Sequence, residues 1–422
     1  MGGRKEGAVR YFFRSLGPGL VTGAADDDPS GIATYSQTGA QFGFGQLWTA
    51  LYQIPLLIAV QECCARIGAI TGRGLASVIK DHYARPILLS VILLVVVANT
   101  INIGADIGAV AAAAQLVIPA PFWLYAMLTA SLVVTLEVLI TYRTYSKFLK
   151  WLALALLSYP ATAFMIDQDW SAILRATLIP HVELTVSFLF IITGVFGTSI
   201  SPYMFFWQAS QEVEEALLSG KGRDMRRLRI DTGVGMISSE VVQWFIIITT
   251  GSVLFQHGIT NIATAADAAR ALEPLVHSFP NSGQVARDLF AVGVIGLGLL
   301  GIPVLAGSAA YAMAEALDWK EGLSLKFTQA RGFYGVIIAA TAVGLALNFI
   351  GIDPFRALVF TAVFNGIAAV PLLFVIAQIN ASSVILGEHR GGFWSRLFLW
   401  LTVAVMSLAA LALFYSLLAR RT

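Results

Sequence analysis

Three consecutive acids interrupt an apolar stretch near the N-terminus, in the sequence TGAADDDPSGIA of residues 22–33. Asp28 is followed by Pro29, which has no backbone N–H, and then by Ser30 and Gly31, which tolerate irregular backbone. The stretch therefore predicts a helix that breaks beside carboxylates. Free backbone carbonyls next to a carboxylate attract cations, so the chemistry predicted here is cation binding.

A second interruption lies in GVFGTSISPYMFFWQ, residues 194–208. Pro202 again sits inside an apolar run, and the hydroxyl residues Ser199 and Ser201 come just before it. The two interruptions resemble each other in kind, which predicts that a site forms where two broken helices meet.

The surrounding elements are membrane spans. Hydrophobic residues make up 57% of the 422 residues, charged residues make up 12%, and the mean hydropathy is +0.76. This composition predicts an all-α polytopic membrane protein with one transmembrane domain, residues 1–422, in contact with the lipid bilayer. The net charge of +2 gives no reason to expect binding to nucleic acid. We predict spans at 16–43, 46–68, 86–116, 121–142, 147–167, 186–212, 232–256, 285–316, 332–350, 355–380 and 394–418.

The distribution of basic residues predicts the orientation. Most of the 27 Lys and Arg residues fall in the segments on the side of the N-terminus. The other side holds Arg175, Arg270, Arg287, Arg356, Arg420 and Arg421. Positively charged loops stay in the cytoplasm, so the N-terminus is expected inside the cell and the C-terminus outside.

The spacing of the interruptions predicts an internal repeat. Five spans precede the second interruption and five follow from it, which divides the chain into blocks at about 16–167 and 186–380. Since five is odd, the two blocks have opposite orientations in the membrane. This is the 5+5 inverted repeat of a secondary transporter, with broken helices 1 and 6 and an eleventh helix outside the repeat.

Several segments of this chain resemble the NRAMP family (natural resistance-associated macrophage protein) of proton-coupled divalent-metal transporters. They are GPGLVTGAADDDPSGIATYSQTGAQFGF, RIGAITGRGLA, RRLRIDTG, GIPVLAGSAAYAMAE and ILGE, and together they extend over nearly the whole chain. The resemblance implies a LeuT-type fold of ten core helices. The family's Asp-Pro-Gly-Asn motif matches Asp28, Pro29, Ser30 and Gly31, its Met-Pro-His motif matches Ser201, Pro202 and Tyr203, and its backbone carbonyl ligand matches Thr198.

The departures from the family motifs bear on the substrate. The amide ligand is replaced by Gly31, the thioether by Ser201 and the histidine by Tyr203. A thioether favours softer transition ions, whereas carboxylate, hydroxyl and carbonyl oxygens favour Mg²⁺ or Mn²⁺ over Fe²⁺. The metal ligands expected are Asp28, Thr198 and Ser201. Smaller side chains also leave room for a partly hydrated ion, and a small organic solute is the alternative substrate.

Coupling to protons, which the resemblance implies, needs titratable groups along a path. Asp106 in the third span lies on a helix face of small residues, and it matches the later of two acids that the family has there. Arg331 matches an arginine that helps proton exit in the family. We assign Asp27, Asp106 and Arg331 to a proton path, and we note Glu240 and Glu137 as further buried acids. The roles of Asp26 and Asp27 stay open.

Other classes of protein have less support. There is no P-loop, and none of the five histidines lies within a predicted span, so neither an ATP-driven pump nor an imidazole metalloenzyme is expected. No cofactor is predicted. A channel needs a continuous pore rather than one closed site, and a scaffold or receptor needs no acids in the middle of the membrane.

Overall fold

The computed structural model describes residues 17–140, 153–219, 224–277 and 281–419, and this part of the chain contains helices and no strand. Its helices of eight or more residues are α1 (Pro18–Asp26), α2 (Pro29–Phe42), α3 (Trp48–Thr71), α4 (Leu75–His82), α5 (Arg85–Val117), α6 (Phe122–Leu139), α7 (Ser158–Met165), α8 (Trp170–Leu178), α9 (Val186–Ser199), α10 (Pro202–Ser219), α11 (Met225–Val253), α12 (Ser282–Leu317), α13 (Arg331–Leu347), α14 (Pro354–Ala381) and α15 (Phe393–Ala419).

The first predicted span is broken, as the sequence predicts. Helix α1 ends at Asp26, and Asp27 leaves the helical conformation with φ −84° and ψ 38°. Asp28 is extended, with φ −61° and ψ 173°, and its side chain caps α2 by accepting from the backbone N–H of Gly31. Pro29 is the first residue of α2, where a missing N–H costs no helical hydrogen bond.

The sixth predicted span is broken in the same way. Helix α9 ends at Ser199, and Ile200 has φ −104° and ψ 63°, outside the helical region. Helix α10 begins at Pro202. Both predicted breaks are therefore confirmed, and in both a proline begins the second half.

Eight helical segments of the described chain are long and apolar enough to cross a membrane. They correspond to predicted spans 2, 3, 4, 6, 7, 8, 10 and 11, while span 1 is the broken pair α1 and α2, and span 9 is the shorter α13. Predicted span 5 begins outside the described residues, and its later part contains a 3-10 helix at Ala153–Leu157 followed by α7. The sequence did not predict α4, α8 or the short helices between Phe255 and Val276.

Each broken helix packs against a helix of the other repeat. Helices α1 and α2 lie against α11, and α10 lies against α3, so that each broken helix contacts the second span of the other block. Helix α5 packs along α12. Helix α15 contacts α3, α9 and α14, and only about a third of its most apolar stretch is buried. The eleventh helix is therefore peripheral.

Glycines bring α1 close to α11. A Cβ atom added to Gly23 would lie 2.3 Å from the carbonyl oxygen of Gly235, and one added to Gly235 would lie 2.1 Å from that of Gly19. Asp231 of α11 also accepts hydrogen bonds from the backbone N–H groups at the start of α1, including those of Gly17 at 2.6 Å and Gly19 at 2.8 Å. These N–H groups have no partner inside their own helix, so Asp231 satisfies them and fixes α1 on α11.

Candidate functional site

The Asp28 carboxylate lies between the two breaks and is 1% exposed. One oxygen, Oδ1, accepts from the hydroxyl of Ser30 at 2.6 Å and from the N–H of Gly31 at 2.9 Å. The other, Oδ2, accepts from the side-chain amide of Asn102 at 3.1 Å. Neutral donors and the N-terminus of α2 thus stabilise the carboxylate without a basic residue.

Asn102 joins Asp28 to the predicted proton-path residue Asp106. Its Nδ2 lies 3.1 Å from Asp28 Oδ2 and 3.3 Å from Asp106 Oδ2. Its Oδ1 lies 3.5 Å from the side-chain amide of Asn365 on α14. Asn102 is not among the site residues predicted from the sequence. A signal was present, because Asn102 precedes Asp106 by four residues and so lies on the same face of α5.

The second break contributes hydroxyl groups. The Oγ1 atom of Thr198 lies 3.2 Å from the Oγ atom of Ser30, and either hydroxyl can donate. Ser201 is fully buried, and its hydroxyl has no hydrogen-bond partner among the described residues. Tyr203 donates its hydroxyl to the carbonyl oxygen of Ala25 at 2.9 Å, so it bridges α10 and α1.

The backbone around Asp28 is tightly enclosed. A Cβ atom on Gly31 would lie 3.1 Å from the carbonyl oxygen of Asp26 and 3.3 Å from the ring of Tyr35. A Cβ atom on Gly301 of α12 would lie 3.0 Å from the Cβ of Asp28. The space expected from the loss of an amide side chain at position 31 is therefore taken up by Tyr35 and by the chain itself.

Asp26 and Asp27 face α11 rather than α5. The hydroxyl of Ser239 donates to Oδ2 of Asp26 and lies 3.3 Å from Oδ1 of Asp27. Glu240 follows on the same helix and is 1% exposed, and neither of its carboxylate oxygens has a hydrogen-bond partner in the described part of the chain. The break thus separates acids that face α5 from acids that face α11.

Hydroxyl and amide groups complete the side that faces α11. The hydroxyls of Tyr35 and Ser199 lie 2.9 Å apart, and Ser199 lies 3.1 Å from Oε1 of Gln243 and 3.4 Å from Oε1 of Gln53. All of these side chains are buried. The side-chain atoms that these hydrogen bonds bring together are all oxygens, the atoms that bind hard cations.

The remaining predicted residues lie elsewhere. Arg331 is exposed at the first residue of α13, outside the group around Asp28. Glu137 is buried on α6, and its carboxylate has no hydrogen-bond partner among the residues described. Over 17–140, 153–219, 224–277 and 281–419, no three His, Cys, Asp or Glu side chains converge in an arrangement that could hold a metal ion. The predicted metal site does not depend on such a cluster, because only one of its ligands, Asp28, is a carboxylate.

Comparison with known sequences places this architecture among transporters. The family model described as "Natural resistance-associated macrophage protein-like" matches residues 19–416. The divalent metal cation transporter MntH of Klebsiella pneumoniae (strain 342) is 26% identical over 397 residues, which are 93% of this chain and 91% of that protein. MntH of Yersinia pestis (strain Pestoides F) is 26% identical over 299 residues, covering 67% and 68% of the two chains.

Comparison with solved structures agrees on the fold. The manganese transporter of Eremococcus coleocola, in complex with an aromatic bis-isothiourea substituted compound, matches with a TM-score of 0.76 at 18% identity, covering 97% of this chain and 88% of that one. MhsT in complex with L-phenylalanine matches with a TM-score of 0.56 at 14% identity, covering 98% and 100%. The all-α, LeuT-type fold with broken helices 1 and 6, and the multi-pass membrane class, are confirmed.

Proposed function

This chain belongs to the natural resistance-associated macrophage protein-like family, and from that premise we propose that it is a secondary active transporter that moves a divalent cation across the membrane by alternating access. One observation carries the proposal: a buried carboxylate, Asp28, lies where two broken helices meet, with hydroxyl and amide groups of three helices around it. The names of the MntH relatives and of the manganese transporter support a metal cargo rather than an enzymatic reaction.

The ligand set supports a hard ion. We assign substrate binding to Asp28, Ser30, Gly31, Thr198, Ser201 and Tyr203, with Asp28, Thr198 and Ser201 as metal ligands. Asn102 brings a side-chain amide from α5 to the site in place of the one that position 31 lacks, and its Nδ2 donates to Asp28. Oxygen ligands without a thioether suit Mg²⁺ or Mn²⁺ better than Fe²⁺. When the ion reaches Asp28, the Ser30 hydroxyl can turn its proton toward Thr198, which frees a lone pair of Asp28 Oδ1.

Proton coupling is a separate part of the proposal. Asp106 lies one hydrogen-bonding side chain away from Asp28, because Asn102 contacts both carboxylates. A cation on Asp28 acts on this second buried acid through the low-dielectric interior and favours release of its proton. We also assign to the proton path Asp27, on the side of the break that faces α11, and Arg331, at the end of the bundle where α13 begins.

The membrane arrangement completes the proposal. We propose that the N-terminus is cytoplasmic, the C-terminus is outside, and the chain forms one domain whose repeats are residues 16–167 and 186–380. The exchange of partners between the broken helices supports this division, because α1 and α2 contact α11 while α10 contacts α3. Exchange of this kind lets one block rock against the other around a fixed site.

The experiment is uptake of Mn²⁺ and Mg²⁺ by proteoliposomes containing the purified protein. We expect Asp28→Asn to lower uptake by about 1000-fold, because an ion pair at an effective dielectric constant of about 20 is worth about 4 kcal/mol. Glu137→Gln is the matched control, since it neutralises a buried acid outside the site and is expected to leave uptake unchanged. Wild-type protein that carries neither ion, or an Asp28→Asn variant that folds and transports normally, would overturn the proposal.

A further inference from the structure

The side of the break that faces α11 holds a second polar group, here called the α11-facing cluster: Asp26, Asp27, Ser199, Ser239 and Glu240. These residues come from α1, the α1–α2 break, α9 and α11. All five side chains are buried, and none is more than 3% exposed. Asp28 makes none of the cluster's hydrogen bonds, because its partners are Ser30, Gly31 and Asn102.

The cluster has fewer hydrogen-bond donors than its acids need. Ser239 has one hydroxyl proton, and both Asp26 and Asp27 lie within hydrogen-bonding distance of it. Oδ1 of Asp26 and both carboxylate oxygens of Glu240 have no hydrogen-bond partner in the described part of the chain. Buried polar atoms without partners are costly, so these oxygens point to a ligand that the protein residues do not provide.

Glu240 contributes its carboxylate to the cluster from α11, where Asp26 and Asp27 are the acids that act electrostatically on it. The Ser199 hydroxyl faces this carboxylate but makes no hydrogen bond of normal geometry with either oxygen. Ser199 lies 3.1 Å from Gln243 Oε1 and 2.9 Å from the Tyr35 hydroxyl, and its single proton cannot satisfy every surrounding oxygen. Glu240 therefore adds an unpartnered carboxylate to acids that come from a different helix.

Helix ends make the cluster more negative. Asp26 is the last residue of α1 and Ser199 is the last residue of α9. The C-terminus of a helix carries a partial negative charge, so both ends favour a cation at this place. No basic side chain supplies it: in the described residues the buried basic side chain is Arg66, and it pairs with Glu62.

We propose that the α11-facing cluster is a second cation site, distinct from Asp28, that binds a singly charged hard cation such as Na⁺. Carboxylate oxygens of Asp26 and Glu240 and neutral oxygens of Ser199 and Gln243 form its ligand set. A single charge fits for two reasons. The described residues do not bring three acids to one point, and a second divalent ion would repel a divalent substrate at Asp28 twice as strongly as a monovalent one.

The site would tie the two half-helices that end at the breaks to α11. A cation there contacts α1 through Asp26, α9 through Ser199 and α11 through Glu240. Its binding therefore stabilises the arrangement in which α1 lies against α11. Occupancy of the second site is thereby linked to the position of α1, although the two sites have no ligand in common.

The test is equilibrium binding of ²²Na⁺ to the purified full-length protein at constant pH, without divalent ions. We expect saturable binding of one ion per chain, and a loss of affinity of at least about tenfold in Glu240→Gln, because one charged ligand becomes neutral. Glu137→Gln is expected to keep wild-type affinity, and Asp28→Asn is expected to weaken binding less than Glu240→Gln, because it removes a nearby charge but no ligand. Asp26→Asn is the second cluster variant, which serves if Glu240→Gln does not fold.

The outcomes separate this proposal from the proposed function. Absence of saturable ²²Na⁺ binding in the wild type overturns the second site, because protons alone would then neutralise the cluster. Binding that Asp28→Asn removes and the cluster variants leave intact also overturns it, since Na⁺ would then occupy the substrate position. Saturable Na⁺ binding that Glu240→Gln weakens, in a protein that carries no divalent ion, supports the cluster site and counts only against divalent-cation transport.

Discussion

The two sides of the α1–α2 break hold acids in opposite electrostatic settings. On the side of α5, Asp28 caps the N-terminus of α2 and accepts hydrogen bonds from three donors. On the side of α11, Asp26 ends α1, and Glu240 has no hydrogen-bond partner among the described residues. The positive N-terminal end of α2 stabilises the Asp28 carboxylate, while the negative C-terminal ends of α1 and α9 disfavour negative charge on the acids that face α11.

This difference shows what a broken helix does for a transporter. One interruption creates an N-terminus and a C-terminus only a few residues apart, so adjacent acids experience opposite helix dipoles. The N-terminus of α2 and three hydrogen-bond donors favour the charged form of Asp28, which is the form that binds a cation. The acids that face α11 need a cation or protons to remain buried, which makes them suited to respond to ions other than the substrate.

The largest effect is expected from a change to the close backbone contact between α1 and α11. Gly235→Ala places a Cβ 2.1 Å from the carbonyl oxygen of Gly19, so α1 must move away from α11. We expect a loss of about 3 kcal/mol in the free energy of unfolding, measured by thermal denaturation in detergent. Gly233→Ala is the matched control on the same helix, because nothing lies within 4 Å of its added Cβ. Equal stability of the two variants would contradict the close contact.

An intermediate effect is expected on the α5 side. Asn102→Ala removes the amide that contacts Asp28 and Asp106, and we expect the Mn²⁺ concentration for half-maximal uptake to rise roughly 10- to 100-fold. Asn99→Ala is the control: Asn99 is buried one turn earlier and bonds to Leu305 and Ser308 instead. Asn99→Ala should lower stability while the half-maximal concentration stays the same.

Asn102→Ala also tests whether the two sides of the break bind ions independently. Asn102→Ala is expected to leave ²²Na⁺ binding unchanged, because its contacts are on the side of α5. If it weakens Na⁺ and Mn²⁺ binding equally, the two sides of the break behave as a single site.

The smallest effect concerns Glu321, a half-buried acid that lies outside the membrane spans and away from the breaks. Burial raises the pKa of Glu321, between α12 and α13, to about 9, and the nearby Glu315 and Glu214 add to the shift. The folded protein therefore keeps a proton that the unfolded chain releases above its ordinary pKa, so stability falls as the pH rises from about 4.5 towards 9.

Glu321→Gln removes this ionisation. We expect its Tm to exceed that of the wild type by about 2 °C at pH 8 and to equal it at pH 4. The measurement is thermal unfolding at the two pH values. A difference of the same size at both values would show that the substitution acts through packing and not through the proton.

Much of the fold followed from patterns that are local in the chain. Long apolar runs predict spans because backbone groups in lipid must be satisfied within a helix. Pro29 and Pro202 predict where two of those spans break, and the structure confirms both. Helices α4 and α8 escaped prediction because each is short, with eight and nine residues, and carries no span-length apolar run.

The candidate site was predicted only in part. Asp28 and Ser30 are two residues apart, so their contact is a local property of the break. Asn102 was missed because its meeting with Asp28 joins residues 74 positions apart, and Ser239 reaches Asp26 across 213 positions. Contacts of this kind depend on which helices become neighbours, and no periodicity along the chain specifies that.

The sequence by itself determined that this protein crosses the membrane many times and that acids lie where its first helix must break. The physical reason is local: apolar length, a proline without an N–H, and the helix ends that it creates. Only the tertiary structure decided which side each acid faces. Packing of α1 on α11 through glycines, and of α5 beside α2, assigned Asp28 to the amide of Asn102 and left Glu240 without a hydrogen-bond partner in the described chain.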